Sequence, residues 1–401
     1  MNKSLILGSL LATSLLSSST ALAAMDNIDI SGFGSIVAGQ TLSSGDVFTA
    51  DWHDVGQYED GLSFKPESML AIQARSQLTD KLSFTALLSA KGTDDFEPEF
   101  DWYYLTYQAS DNLTLMAGRR AIPMYYFSEF IEVGFAYPWV RPPANLYWWQ
   151  IQYFNGLHAS YDFTLGDYSS NITAFYGNER DDDNKEIGVL YSRGADRIRE
   201  YWEQITGFTW SLSSDIFDLR FMHFSTATER TYIYESLGTS GLRDRDIDFY
   251  GLGGSVTLDN LAMFFDYNYV SSTIVGEFSL DPVTNMATQA RVDNDDIFPT
   301  VLLTATYTIG DYVPYISYSK ADHRNRQHDI NTGNLLPRAP GQDSDDFEQH
   351  ELYSLGIRYN YTPNVAIKFQ FDMFKDQGFA PQGWNFHGDS ETITAGLDFV
   401  F

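Results

Sequence analysis

The sequence predicts an all-β protein: one antiparallel β-barrel, closed on itself, crossing a membrane with sixteen strands. Three observations carry that prediction. Segments of about ten residues alternate apolar with small or polar side chains at a period of two, the pattern of a strand with one face in lipid and one in water. The connections between these segments are alternately very short and long. An apolar leader opens the chain, and no later stretch is apolar for long enough to be a spanning helix, so strands are the means left for crossing a bilayer.

The leader comes first. Lys3 gives a short basic start, Leu5 to Leu16 is mostly apolar, Ser17 to Thr20 is small and polar, and Ala21-Leu22-Ala23 matches an A-x-A cleavage site. This is the three-part pattern of a secretory signal peptide. The apolar run is too short for a membrane anchor, which needs about 20 residues. Residues 1–23 are therefore expected to be removed, leaving 24–401, a length of 378, as the barrel.

The strands follow in order. Near the start, Leu70, Ile72 and Ala74 oppose Gln73, Arg75 and Gln77. Later, Leu261, Met263, Phe265, Tyr267 and Tyr269 oppose Asp266 and Asn268, and Val301, Leu303, Ala305, Tyr307 and Ile309 oppose Thr304, Thr306 and Thr308. Tyr353, Leu355, Ile357, Tyr359 and Tyr361 oppose Ser354, Gly356, Arg358 and Asn360. The clearest case sets Val365, Ile367, Phe369, Phe371 and Met373 against Lys368, Gln370 and Asp372. Seven short connections carry turn residues, among them Thr79-Asp80-Lys81, Gly166-Asp167, Asp259-Asn260 and Pro363-Asn364. Eight long ones centre on 41–66, 92–98, 121–154, 178–202, 227–245, 273–296, 321–349 and 377–388. Fifteen connections imply sixteen strands with both termini on one side, short turns at the periplasmic end and long loops outside. Fourteen or eighteen strands stay open, because Ile187–Ser192 reads as a strand or as part of a loop, and Gly207 and Thr209 interrupt the alternation around Phe208, Trp210 and Leu212. A soluble sandwich also alternates but need not alternate its loop lengths, and no repeat of propeller period is visible.

Composition narrows the function. With 25 Lys plus Arg against 54 Asp plus Glu, the formal charge is −29, which argues against a nucleic-acid partner. Cysteine is absent, removing disulfides, thiolate metal sites and cysteine nucleophiles. There is no G-x-S-x-G elbow, no Walker or dinucleotide glycine pattern, and His323 and His328, placed in one loop, lack the spacing of a zinc motif. No catalytic residue, cofactor or dedicated metal site is expected. Acid clusters at Asp181-Asp182-Asp183, Asp293 to Asp296 and Asp343 to Asp346 match no twelve-residue calcium loop; solvation, or divalent cations bridging them to lipopolysaccharide, fits them better.

The chain ends on an alternating strand whose Ile393, Ala395, Leu397, Phe399 and Phe401 share one face, with Phe401 terminal. Here the sequence resembles the Gram-negative outer-membrane porin family, whose members close on such a strand. The resemblance also covers the leader, the lack of cysteine, the acidic balance and the strand rhythm. It implies passive diffusion of ions and small hydrophilic solutes through a water-filled pore, residence in the outer membrane, assembly as a homotrimer, and Phe399 and Phe401 as the signal read by the insertion machinery. It also implies that the third long connection folds into the barrel and narrows it.

Strand parity turns Arg75, Lys91, Arg120, Arg220, Arg358 and Lys368 inward, with Asp162, Asp266, Asp372 and Asp398. Of the adjacent Arg119 and Arg120, parity favours Arg120. Closing the barrel brings the first and last strands together, so most of these cations are expected on one wall. The third connection, Ala121 to Phe154, is unusually apolar and aromatic, so it should pack against something. It contains Glu129, Glu132 and Arg141, and by the resemblance its two acids would oppose the basic wall. The shorter acidic, glycine-containing motif of the enterobacterial porins is missing, and packing over the rim or across a neighbouring subunit stays open. Six inward cations against six acids, beneath an acidic mouth, suggest weak cation preference. A plugged structural or adhesive barrel is the alternative reading.

Overall fold

The computed structural model describes residues 27–147, 149–190, 195–235, 239–280, 287–290, 293–328, 346–377 and 388–401. The expected signal segment, 1–23, lies outside the described residues.

Sixteen strands form the wall: β1 (Ile28–Thr41), β2 (Met69–Thr79), β3 (Leu82–Lys91), β4 (Pro98–Gln108), β5 (Leu113–Ala121), β6 (Tyr153–Leu165), β7 (Tyr168–Asp181), β8 (Arg197–Ser213), β9 (Phe217–Tyr234), β10 (Thr239–Leu258), β11 (Leu261–Leu280), β12 (Asp293–Tyr307), β13 (Tyr312–His328), β14 (Asp346–Thr362), β15 (Val365–Asp376) and β16 (Ser390–Val400). Each pairs antiparallel with the next. A seventeenth strand of the sheet, Ala287–Ala290, pairs with the upper end of β11, which also pairs with β12. The seam closes where β16 pairs with β1, in register from Phe33↔Val400 to Thr41↔Thr392. Closure satisfies the backbone groups that an open edge would leave bare in lipid.

The apolar surface is on the outside. Leu157, Ile316 and Leu355 are exposed to about 60% while inward Ser35, Ser319 and Thr392 are buried, the reverse of a water-soluble sheet. An apolar groove of about 850 Å³ lies on this outer wall among Met263, Phe265, Leu303, Ile316, Leu355 and Phe371. At the seam, the Phe399 and Phe401 rings stack 6.3 Å apart and lie over Gly34 and Gly32 of β1. A Cβ on either glycine would collide with those rings, so glycine is what lets the aromatics lie flat on the first strand.

Two regions differ from the sequence-based expectation. Ile187–Ser192 was open between strand and loop; Lys185–Leu190 is a short helix, α1, which buries Ile187 and Leu190. Asn184 caps it, its Oδ1 accepting from the Ile187 N–H at 2.9 Å, and such capping favours a helical turn over extension. Among the described residues, the connections placed at 227–245, 273–296 and 321–349 are largely strand: β9 has 18 residues, β10 and β11 have 20 each, and β13 carries His323 and His328 on a strand. The regular apolar alternation ends before these strands do, and backbone pairing carries them further.

The lumen is not hollow. Its buried apolar cluster runs from Phe48, Trp52 and Tyr58 of the first loop, through Ile122 to Ile151 of the third, to wall residues such as Trp202, Phe249 and Leu352. The first loop contributes a small hairpin, Phe48–Asp51 with Gly56–Tyr58.

Candidate functional site

Loop 3, residues 122–152, leaves β5 and returns to β6 with its ends tied by Ile122 N–H donating to the Gln152 carbonyl at 2.8 Å. Between them it folds into the barrel. Pro138, Pro142 and Pro143 stiffen it. Phe127 is its packing centre, with ring centroids at 4.8 Å from Tyr126, 5.3 Å from Trp139 and 5.9 Å from Phe264 of β11. That explains the apolar composition: these rings leave water by packing on one another and on the inner wall. Polar anchors fix the loop on opposite sides. Tyr126 N–H and the Tyr147 hydroxyl both donate to Asp266 Oδ2, at 3.0 and 2.8 Å. Ser319 Oγ donates to Asn145 Oδ1 at 2.6 Å, and Val140 N–H to Gln370 Oε1 at 2.8 Å.

The basic wall and the loop meet. Lys368, fully buried on β15, donates to the carbonyls of Gly134 at 2.5 Å and Trp139 at 2.6 Å, and pairs with Asp398 at 2.8 Å. Arg358 donates to the carbonyls of Phe135 and Tyr137, at 2.6 and 3.1 Å, and lies over the Phe135 ring. Arg141 reaches back from the loop to Ser35 Oγ at 3.2 Å and the Glu67 carbonyl at 2.8 Å. Ser35 Oγ donates to Asp398 Oδ1 at 2.5 Å, so loop 3 is clamped across the β1–β16 seam. Gly134 sits so close to Asp398 and Ser35 that a Cβ there would meet both. Lys91, at the end of β3, pairs with Glu132 of loop 3 at 3.0 Å and with Asp54 of the first-loop hairpin at 2.8 Å. Loops 1 and 3 therefore share one buried cation.

A polar cavity of about 230 Å³ stays open on the other side of loop 3. Arg120 of β5, Arg220 of β9, His158 of β6 and Glu129 line it, with hydroxyl and amide side chains including Asn171, Thr173 and Ser211. Glu129 is held by both guanidiniums: Oε2 is 2.8 Å from Arg220 Nη1, and Oε1 is 3.4 Å from Arg120 Nη2. Desolvation pushes its carboxyl up, but Arg220 and Arg120 outweigh that and hold it below its ordinary range.

The six strand cations thus have different surroundings. Arg120 and Arg220 border open space; Lys91, Arg358 and Lys368 are bound to the loops. Arg75 is exposed and makes no ion pair among the described residues. Of the four acids, Asp266, Asp372 and Asp398 are buried, and Asp162 accepts from Asn171 at 2.7 Å. Arg119 also finds an acid, Glu179. Sequence reasoning missed Asp54 and Glu67, which join the first loop to Lys91 and, through its carbonyl, Arg141. The signal was there in Phe48, Trp52 and Tyr58: an aromatic loop needs a packing partner, as loop 3 does. Among the described residues, no group of three or more His, Asp or Glu side chains is arranged to hold a metal.

The chain matches no family model and no curated protein. Solved structures do match over nearly the whole chain. OmpT of Vibrio cholerae, an outer-membrane protein, superposes in its loop-L8 deletion form with a TM-score of 0.56 at 10% identity, covering 93% of this chain and 99% of that one. The outer-membrane channel DcaP of Acinetobacter baumannii gives 0.54 at 12% identity, covering 93% and 97%. OmpF of Salmonella typhi gives 0.50 at 13%, covering 94% and 98%. The fold is that of porin-like outer-membrane proteins. At such identity the likeness concerns the barrel and not its contents, and the interior described above is this chain's own.

Proposed function

We propose that the chain is an outer-membrane porin, a non-enzymatic channel for passive diffusion of ions and small hydrophilic solutes. The observation that carries this reading is the polar cavity between loop 3 and the β5–β9 wall, bordered by Arg120, Arg220 and Glu129. Polar, charge-lined space inside a lipid-facing barrel suits hydrated solutes. The outer-membrane neighbours support the location, and a trimer form of OmpT from Vibrio cholerae supports a homotrimer. The leader 1–23, Phe399 and Phe401 as an insertion signal, and lipopolysaccharide contacts bridged by divalent cations complete the reading.

Selectivity follows from which charges face water. The wall cations that loop 3 engages have their field cancelled locally, Lys368 and Arg358 by carbonyls and Asp398, Lys91 by Glu132 and Asp54. The passage keeps Arg120 and Arg220 against Glu129, a small positive excess. The exterior is acidic, with a formal charge of −29 on the whole chain. Mouth charges act through water over a screening length of about 8 Å at physiological salt, which shortens as salt rises. The channel is therefore weakly cation-preferring at low salt, and that preference fades as salt is added.

The plugged structural or adhesive barrel remains the second reading, favoured by the buried aromatic cluster that loops 1 and 3 build across the lumen. Conductance of the purified protein in a planar bilayer separates the two. Discrete, ohmic open-channel steps support the porin; a tight bilayer without steps supports the plug.

A further inference from the structure

We propose that Arg120 and Arg220 form a seat for the carboxylate of small hydroxylated organic acids, with Glu129 as its resident, tethered occupant. The inference rests on the channel reading and adds the class of solute.

Glu129 differs from the other links between loop 3 and the wall. Lys368, Lys91 and Arg141 are at most 13% exposed at the side chain: Lys368 holds loop carbonyls, Lys91 pairs with Glu132 and Asp54, and Arg141 reaches the Glu67 carbonyl. The Glu129 side chain is 40% exposed, and its second contact, at 3.4 Å to Arg120, is slack. It lies on the short 3-10 turn Ser128–Phe130, and rotation of its side chain alone would vacate the arginines. What remains is two guanidiniums, from β5 and β9, converging on the place of one carboxylate. Guanidinium forks match a carboxylate by geometry and not by charge alone.

The surroundings suit a hydroxylated body behind that carboxylate. Ser160, Asn171, Thr173, Thr209 and Ser211 line the same cavity. Asn171 Nδ2 and Thr173 Oγ1 both donate to Ser160 Oγ, at 2.8 and 2.9 Å, a set that a solute hydroxyl can join. His158 is buried with Nε2 unpartnered among the described residues, and its ring is 5.1 Å from Phe154 and 6.0 Å from Phe175, which hold it in place. A buried ring nitrogen at the cavity wall is an unused hydrogen-bonding group. A neutral sugar would meet the hydroxyls but leave Glu129 in its seat.

The solute must compete with a carboxylate present at an effective concentration of order millimolar or above, as for any tethered ligand on a short linker. Capture is therefore weak, which a channel needs, since a solute that binds must also leave.

The test uses gluconate as probe and glucose as the uncharged control, on the native protein, Glu129→Gln and Arg220→Gln, each checked for barrel folding by circular dichroism. Gluconate should reduce the chloride current of single channels at millimolar concentration, and glucose should not. Glu129→Gln, which removes the tethered competitor, should lower the half-blocking gluconate concentration at least about threefold. Arg220→Gln should abolish the block. An unchanged or raised half-blocking concentration in Glu129→Gln, or equal block by glucose, overturns the seat. If no channel steps appear at all, the channel reading fails, and calorimetric titration of gluconate into the folded barrel in detergent decides the seat: heat of binding that strengthens in Glu129→Gln supports it, and no heat in either protein overturns it.

Discussion

Lys368→Met removes one ammonium and keeps most of the stem volume, so it probes the clamp between loop 3 and the seam. The native ammonium is fully buried and serves three oxygens: the Gly134 and Trp139 carbonyls and Asp398. Its loss leaves Asp398, itself 1% exposed, as a buried anion whose nearest other cation, Arg141, is 4.0 Å away. Removing one partner of a buried pair costs about 3–5 kcal/mol, and each orphaned carbonyl about 1–3 kcal/mol more. Ser35 Oγ still donates to Asp398, and Arg141 can close part of the gap, so the lower end of that sum, about 5 kcal/mol, is expected. Asp398→Asn added to Lys368→Met removes the stranded charge. The double variant should then lose less than the two singles together, by about 1–3 kcal/mol. Urea unfolding in lipid vesicles, followed by tryptophan fluorescence, measures all three variants. A Lys368→Met loss below about 0.5 kcal/mol, the range of ordinary surface changes, would refute the clamp, as would strict additivity of the pair.

Deleting Phe401 should slow insertion into the outer membrane, because it removes the terminal ring and the two backbone hydrogen bonds, both 2.9 Å, between Phe401 and Gly32; pulse-chase assembly at the normal rate would count against the signal reading. Burial pushes the Glu67 carboxyl up to about 7, against the pull of Arg141 and Tyr58. The folded state thus holds that proton more tightly than the unfolded chain, whose ordinary value is 4.5, and the resulting stability is full below that value and lost as pH rises through about 7. Glu67→Gln should flatten this window of the unfolding profile, and an unchanged slope between those values would rule the carboxyl out. Reversal potentials in a potassium chloride gradient should show weak cation preference at low salt that diminishes with concentration; strong anion preference at low salt would mean that the basic passage outweighs the mouth.

The barrel was largely legible because lipid imposes a strict rule on sequence. Each spanning strand must show an apolar face, so Val365 to Met373 or Leu261 to Tyr269 declare their parity directly, and short turns such as Asp259-Asn260 declare their ends. Where lipid stops, so does the rule. The upper halves of β9, β10 and β11 are strands held by backbone pairing with their neighbours, and the alternation that marks their lower halves does not continue there. The helix at Lys185 was hidden for another reason: six residues hold too little periodicity, and its start depends on one asparagine cap. Loop 3 was legible as an aromatic segment in need of a partner, and the same reasoning applied to Phe48, Trp52 and Tyr58 would have brought loop 1 inside as well.

The charges were harder, and the reason is physical. Parity tells which side of the sheet a cation is on, but a lumen packed with loops contains both protein interior and water. Lys368 and Arg220 both point inward from the wall, yet one is sealed under Gly134 and Trp139 while the other borders a cavity. A sum over inward residues weighs them equally, although the sealed charge has its field cancelled at contact distance and the bordering one acts on a passing ion through little screening. On the channel reading, selectivity depends on which cations the loop leaves uncovered, and the loop is placed by its aromatics: Phe127, Trp139 and Tyr147 settle against the β11 side, and Gly134 reaches the seam. In this barrel the apolar residues of loop 3 decide which of the wall's cations are sealed under the loop and which border the polar cavity.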